Sequence, residues 1–407
     1  MRVVLFTGKG GVGKTTLAAA TAALLARSGR KVLAVSTDPA HSLGDAFEAE
    51  LGAEPTELDP GLSAAHVDTR ALVDGAWARL QDHLGTLLAG AGVDELVADE
   101  LTVVPGVEDL LALGEVRRLA ESGLWEVVVV DCGPTAETLR LLGLPEALST
   151  YLERLFPAHR RAVRGLISGF AGRRGSEPAW ERAIAALDGL AEQLQGLRGL
   201  LADQDTTSIR LVLTPERVVA AETRRTLTAL ALHGLRVDAL VANRLVPEAP
   251  SSLRGPAGRW LRERHAEQSA VLAELKALPV PLRVVGHTAA EPIGLAALRE
   301  LASGLYGDDD PAAPPGPPAA PLLQVNRTAG SGTSLDSAFE LVLRLPGVAS
   351  GPVELVRLDD DLAVTTGGTR RMIALPPVLR RCEVTGAQVA GDELSVAFVP
   401  DPAVWLR

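Results

Sequence analysis

The sequence has little sulfur. Two cysteines, Cys132 and Cys382, stand far apart among 407 residues, and no CxxC pair exists. That excludes a four-cysteine zinc site within the chain and a disulfide scaffold, and it suits a reducing cytoplasm. Methionine is as scarce, with only Met1 and Met372. Basic residues are in deficit: 40 Lys+Arg against 51 Asp+Glu give a net charge of −11. Neutralising phosphates needs basic surface, so this balance argues against nucleic acid as the main partner. No run of 18 apolar residues occurs, so no transmembrane segment is expected. The opening MRVVLFTGKG has a four-residue apolar run before glycines and a lysine, which does not read as a signal peptide. A cytoplasmic protein is expected.

Lysine is rare too. It occurs only at Lys9, Lys14, Lys31 and Lys276, and two of these share one short glycine-rich stretch. The rest of the composition, 47% apolar and 22% charged, is that of a globular protein. At roughly 100–200 residues per domain the chain holds two to three domains.

Residues 1–305 alternate strand-like and helix-like segments. Apolar, β-branched runs stand at Val3–Phe6, Val32–Val35, Val127–Val130, Ile209–Leu213, Val237–Val241 and Val280–Val285. Helical spacing fills stretches such as Thr15–Ser28 and Ala220–His233. Such alternation predicts a doubly wound, mostly parallel α/β sheet with ligands at the carboxyl ends of its strands. Residues about 66–122 and 146–205 read almost wholly as helix and predict an inserted helical subdomain. Residues 306–321, YGDDDPAAPPGPPAAP, read as a Pro/Ala/Gly linker that packs no core. From 322 to 407 the period changes to two, as in Phe339-Leu341-Leu343 and Leu394–Phe398, which predicts a small all-β sandwich.

Gly8-Lys9-Gly10-Gly11-Val12-Gly13-Lys14-Thr15 fits G-x-x-x-x-G-K-[ST] after a strand and before a helix. The glycines let backbone N–H groups turn around phosphate, and the helix N-terminus adds a positive dipole end. The cradle runs from Gly8 to Thr15 and on into Thr16. Lys14 is expected on the β/γ-phosphates and Thr15 on Mg²⁺, so ATP and Mg²⁺ are the expected cofactors. Asp38 closes the second strand within Ser36-Thr37-Asp38-Pro39-Ala40-His41, where a carboxylate can orient the attacking water. His41 reads as structural. Asp131 ends the four-valine run, the usual place for a second Mg²⁺ contact, although a strand-end Asp can also simply cap a turn. Cys132 reads as a small buried residue.

The stretch GKGGVGKTT resembles the deviant phosphate loop shared by partition ATPases, nitrogenase iron protein and ArsA-type ATPases. That resemblance implies that Lys9 crosses a homodimer interface to the partner's nucleotide. STDPAHSLGDAF and DCGPTAETLRLLGLP are similar to the two switch segments of ArsA and of the tail-anchored-protein targeting ATPases. By that match Asp38 is the hydrolytic carboxylate, and the loop from Asp131 to Arg140 senses the γ-phosphate. Thr214-Pro215-Glu216 resembles the family's Pro-Glu segment, implying Glu216 near the nucleotide. Val241-Ala242-Asn243-Arg244 resembles its adenine-reading strand end, implying that role for Asn243. Pro105–Glu115 is similar to the entry of the helical subdomain. The metalloid-binding cysteine triad of arsenite pumps and the CxxC zinc clamp of eukaryotic targeting relatives are both missing.

The pattern from Ala338 to Val348, with Val353-Glu354-Leu355 and Asp361–Val364, resembles a small-heat-shock (α-crystallin-like) sandwich. These readings predict a homodimeric Mg-ATPase that binds and releases a hydrophobic protein client. A helical groove including Leu148, Leu152, Leu155 and Phe156 would hold the client, although those residues fit a plain helical core equally well. An ATPase subunit driving an anion or arsenite transporter is one alternative. A holdase acting through the sandwich under ATP control is another.

Overall fold

Arg2–Gly8 (β1) is buried along its whole length, which requires cover on both faces. Alternate residues divide accordingly. Val3 and Leu5 join a core with Leu33, Val35, Val128 and Val130, while Val4 and Phe6 join another with Val32, Ala34, Val127 and Val129. The computed structural model describes residues 1–40, 42–72, 74, 107–133, 192–193, 195–314, 323–348 and 352–405.

Val32–Ser36 (β2), Thr56–Asp59 (β3), Leu62–His66 (β4), Val127–Asp131 (β5), Thr207–Leu213 (β6), Val237–Leu245 (β7) and Leu282–Gly286 (β8) complete an eight-stranded sheet in the order β3-β4-β2-β5-β1-β6-β7-β8. Only the β3–β4 pair is antiparallel. The edge pair β3–β4 was not expected from the sequence, and His66, assigned there to the helical subdomain, is the last residue of β4.

Lys14–Arg27 (α1) covers one face together with Gly294–Tyr306 (α6). Alanines at 18, 19, 20, 22 and 23 let α1 lie close to both sheet and α6, where Thr21 and Tyr306 share a 2.8 Å hydroxyl contact. Val107–Glu121 (α3), Arg217–Leu232 (α4) and Gly255–Lys276 (α5) cover the other face. The short Ser42–Phe47 (α2) follows β2. The proposed groove residues Leu148, Leu152, Leu155 and Phe156, and the switch residues after Gly133, lie outside the described residues. Among the described residues no helix is long and apolar enough to cross a membrane.

The start of the Pro/Ala/Gly segment behaves unlike a free linker. Pro311 and Ala312 are buried. Arg210 on β6 donates to the Pro311 carbonyl and to the Tyr306 hydroxyl, at 2.5 and 2.8 Å. Arg283 binds Asp309 at 2.8 Å, and Arg30 binds Asp310. Arg210 and Asp238 form an ion pair at 3.2 Å in which both side chains are only 6% exposed.

Beyond it, Leu323–Ala329 (β9), Ala338–Arg344 (β10), Cys382–Ala390 (β14) and Glu393–Pro400 (β15) form a sheet ordered β14-β15-β10-β9. Val353–Leu358 (β11), Asp361–Thr366 (β12) and Thr369–Ala374 (β13) form the facing sheet, and Pro377–Arg380 (α7) bridges to β14. All pairings are antiparallel. Phe339, Leu341, Leu343, Val396 and Phe398 meet Leu362, Val364 and Ile373 in the core. Leu232, the last residue of α4, belongs to this sandwich core and is fully buried. Thr228 donates to the Pro346 carbonyl at 2.7 Å. The sandwich is therefore packed on α4.

Candidate nucleotide site

The loop between β1 and α1 is shaped by what its glycines exclude. A Cβ on Gly8 would lie 2.1 Å from the Val212 carbonyl oxygen on β6, so only glycine lets the two strands stay paired there. Gly13, the N-cap of α1, has φ +95°, and a Cβ there would lie 2.3 Å from the Asn243 amide nitrogen. Gly10 and Gly11 are exposed and Val12 is buried, which leaves the outer loop backbone open at the N-terminus of α1. Lys14 is 6% exposed and folds back, donating to the Lys9 carbonyl at 3.4 Å. Thr16 is half-buried in the first turn of α1.

Neighbouring strand ends bring further groups to the same edge. Register pairs Phe6 with Asp131 and Asp131 with Ser36. Ser36 donates to Asp131 Oδ2 at 3.2 Å, and its oxygen accepts the Asp38 N–H at 3.2 Å. Asp38 is half-buried, and its Oδ1 accepts the Ala40 N–H at 3.0 Å. Thr15 and Ser42 lie 3.2 Å apart through their hydroxyls. Ser36 and Ser42 were not anticipated as site residues; serines are too common at strand ends and helix starts to stand out.

Asp131 is 1% exposed, and its Oδ1 has no hydrogen-bond partner. Burial pushes its carboxyl up to about 6, opposed by the Thr15 hydroxyl and the Lys14 ammonium, with the Asp38 charge adding to the rise. A buried, under-satisfied carboxylate beside a threonine hydroxyl is an oxygen donor set suited to a hard divalent cation. Cys132 is 2% exposed and donates its backbone N–H to the Phe6 carbonyl at 3.0 Å. Among the described residues no group of three or more His, Cys, Asp or Glu is placed to hold a metal ion.

Three remaining expected contact residues take other partners in this structure. Asn243, at the buried end of β7, donates to the Val12 carbonyl at 2.9 Å and accepts the Arg244 N–H at 2.8 Å, so its carboxamide braces the loop. Arg244 takes φ +61° to allow this. Glu216, the N-cap of α4, accepts from Arg264 of α5 at 2.5 Å. Lys9, half-exposed, lies 3.5 Å from Glu222 of α4. His41 lies outside the described residues.

Comparison with known proteins gives the family of the chain. A family model described as anion-transporting ATPase matches residues 1–307, and one described as the HSP20-like domain found in ArsA matches residues 336–398. Protein Rv2184c of Mycobacterium tuberculosis is 41% identical over 99% of this chain and 97% of its own length. A putative arsenical pump-driving ATPase of Chlorobaculum tepidum is 33% identical over 98% and 96%. The ATPase get3 of Neurospora crassa is 30% identical over 70% of this chain and 86% of its own. The chain is an ATPase and belongs to the ArsA-type anion-transporting ATPase family, in the form that carries an HSP20-like C-terminal domain.

Proposed function

We propose that the protein is a cytoplasmic, nucleotide-driven homodimer whose Mg-dependent ATP hydrolysis is coupled to binding and release of a hydrophobic protein client. The observation that carries this reading is the convergence of Lys14, Thr15, Ser36, Asp38 and Asp131 at the carboxyl ends of β1, β2 and β5. Backbone N–H groups of the loop from Gly8 to Thr16 bind the phosphates, and Lys14 swings from the Lys9 carbonyl onto the β/γ-phosphates. Thr15 and Asp131 would hold Mg²⁺, which when bound would neutralise phosphate charge. The Asp38 carboxylate orients the attacking water and takes up its proton. Ser36 bridges the Asp38 backbone N–H and the Asp131 carboxylate, which joins the two strand ends that carry the hydrolytic and metal-facing groups. Lys9 reaches the partner's nucleotide, Glu216 lies near it, and Asn243 meets the adenine edge. Coupling follows if the client binds the two nucleotide states with different affinity.

A protein client is favoured over direct metalloid capture because the sequence has only two thiols, Cys132 and Cys382, both buried in this structure. A second reading, an ATPase subunit docking on a membrane transporter, is supported by relatives named as arsenical pump-driving ATPases. The test uses Asp38→Asn, purified from its own cells with ATP and Mg²⁺. Proteins with hydrophobic segments, enriched over an ADP control by mass spectrometry, support the client reading. Recovery of a transporter alone transfers the assignment to the pump subunit.

A further inference from the structure

Lys9 does not project freely from the loop. Its ammonium lies 3.5 Å from the Glu222 carboxylate within the same chain. The two side chains wall a small cleft between the loop and α4, lined also by Val212, Val219 and Thr223. Glu222 cannot drift away from Lys9 easily, because α4 is fixed at both ends. Val219, Ala220 and Leu227 pack into the sheet core, and Leu232 packs into the sandwich core. Gly347 of the sandwich lies against Thr228 and Arg224, and Gly367 lies against the stem of Arg225.

We propose that Glu222 is a positioning residue that holds Lys9 in cis, so that nucleotide phosphate must displace the Glu222 carboxylate before Lys9 can engage it. This rests on the reading of Lys9 as a phosphate-contacting lysine. Both side chains are substantially exposed, so the competition is modest in strength and sensitive to salt.

The test titrates the full-length protein with a fluorescent, non-hydrolysable ATP analogue and Mg²⁺ at low ionic strength. Glu222→Gln tightens binding by about two- to fivefold, and the gain shrinks as salt is raised. The apparent KM for ATP falls in step, whereas general damage to α4 lowers kcat together with the unfolding temperature. In a Lys9→Ala background the same substitution has no effect, which isolates the pair. Glu222→Ala repeats the measurement without introducing an amide. Unchanged or weaker binding in Glu222→Gln at wild-type unfolding temperature, or a gain that persists without Lys9, overturns the proposal. If Lys9→Ala itself leaves affinity unchanged, the reading of Lys9 fails first.

Discussion

The carboxamide of Asn243 donates a hydrogen bond to the carbonyl of Val12 at 2.9 Å, so the end of β7 props the phosphate loop from below. Removing that donor leaves a loop carbonyl without its partner, at about 1–2 kcal/mol. Asn243→Ala is therefore expected to weaken nucleotide binding about 5- to 30-fold. Titration with both ATP and GTP separates two roles: bracing costs both nucleotides equally, whereas adenine reading costs ATP alone.

Asp131 shows the opposite balance between folding and chemistry. Its carboxyl is buried with Oδ1 unsatisfied, which costs stability in the nucleotide-free protein. Asp131→Asn is expected to raise the nucleotide-free unfolding temperature by a few degrees, as about 1 kcal/mol does in a chain of this size. The same change is expected to abolish Mg-dependent ATP hydrolysis. Calorimetry and a phosphate-release assay read the two effects side by side.

His233, which caps α4, is held down to about 4 by burial and by the Arg371 and Arg198 guanidinium groups. Its unfolded-state value is about 6.5. The unfolded chain therefore binds the extra proton between these values. His233 stabilises the fold fully above pH 6.5, and that contribution drains away as pH falls toward 4, by up to about 3 kcal/mol. A thermal-unfolding series from pH 7 to pH 4 is expected to be shallower for His233→Gln.

The Arg210–Asp238 pair is buried and anchors the Pro311 carbonyl. Arg210→Met removes the guanidinium partner of the buried Asp238 carboxylate and leaves it the Ser208 hydroxyl, expected to cost about 3 kcal/mol. Arg210→Met with Asp238→Leu is expected to recover much of that loss in denaturant titration.

Strands buried on both faces were legible because they must be continuously apolar, as in the four valines before Asp131. The phosphate loop was legible because its glycines meet steric demands fixed by Val212 and Asn243. The strand pair β3–β4 was not, since Thr56–His66 is short and rich in small and polar residues. Residues 309–312 carry an acidic, proline-containing composition, and their anchoring depends on arginines at 30, 210 and 283, far away in the chain. Helical periodicity likewise places Leu232 on an apolar face without revealing which core it enters.

That last residue changes what a truncation means. Leu232 belongs to the first domain by sequence and to the second by packing, so ending the chain before residue 322 uncovers a leucine that had no contact with water. Ending it at 305 also strips Tyr306, Pro311 and Ala312 from the body of the ATPase. A shortened protein that clumps or loses activity would then report a torn interface, not the missing task of the sandwich. A deletion that keeps the chain through Pro314 and replaces Leu232 with a polar residue allows the sandwich's contribution to be read cleanly.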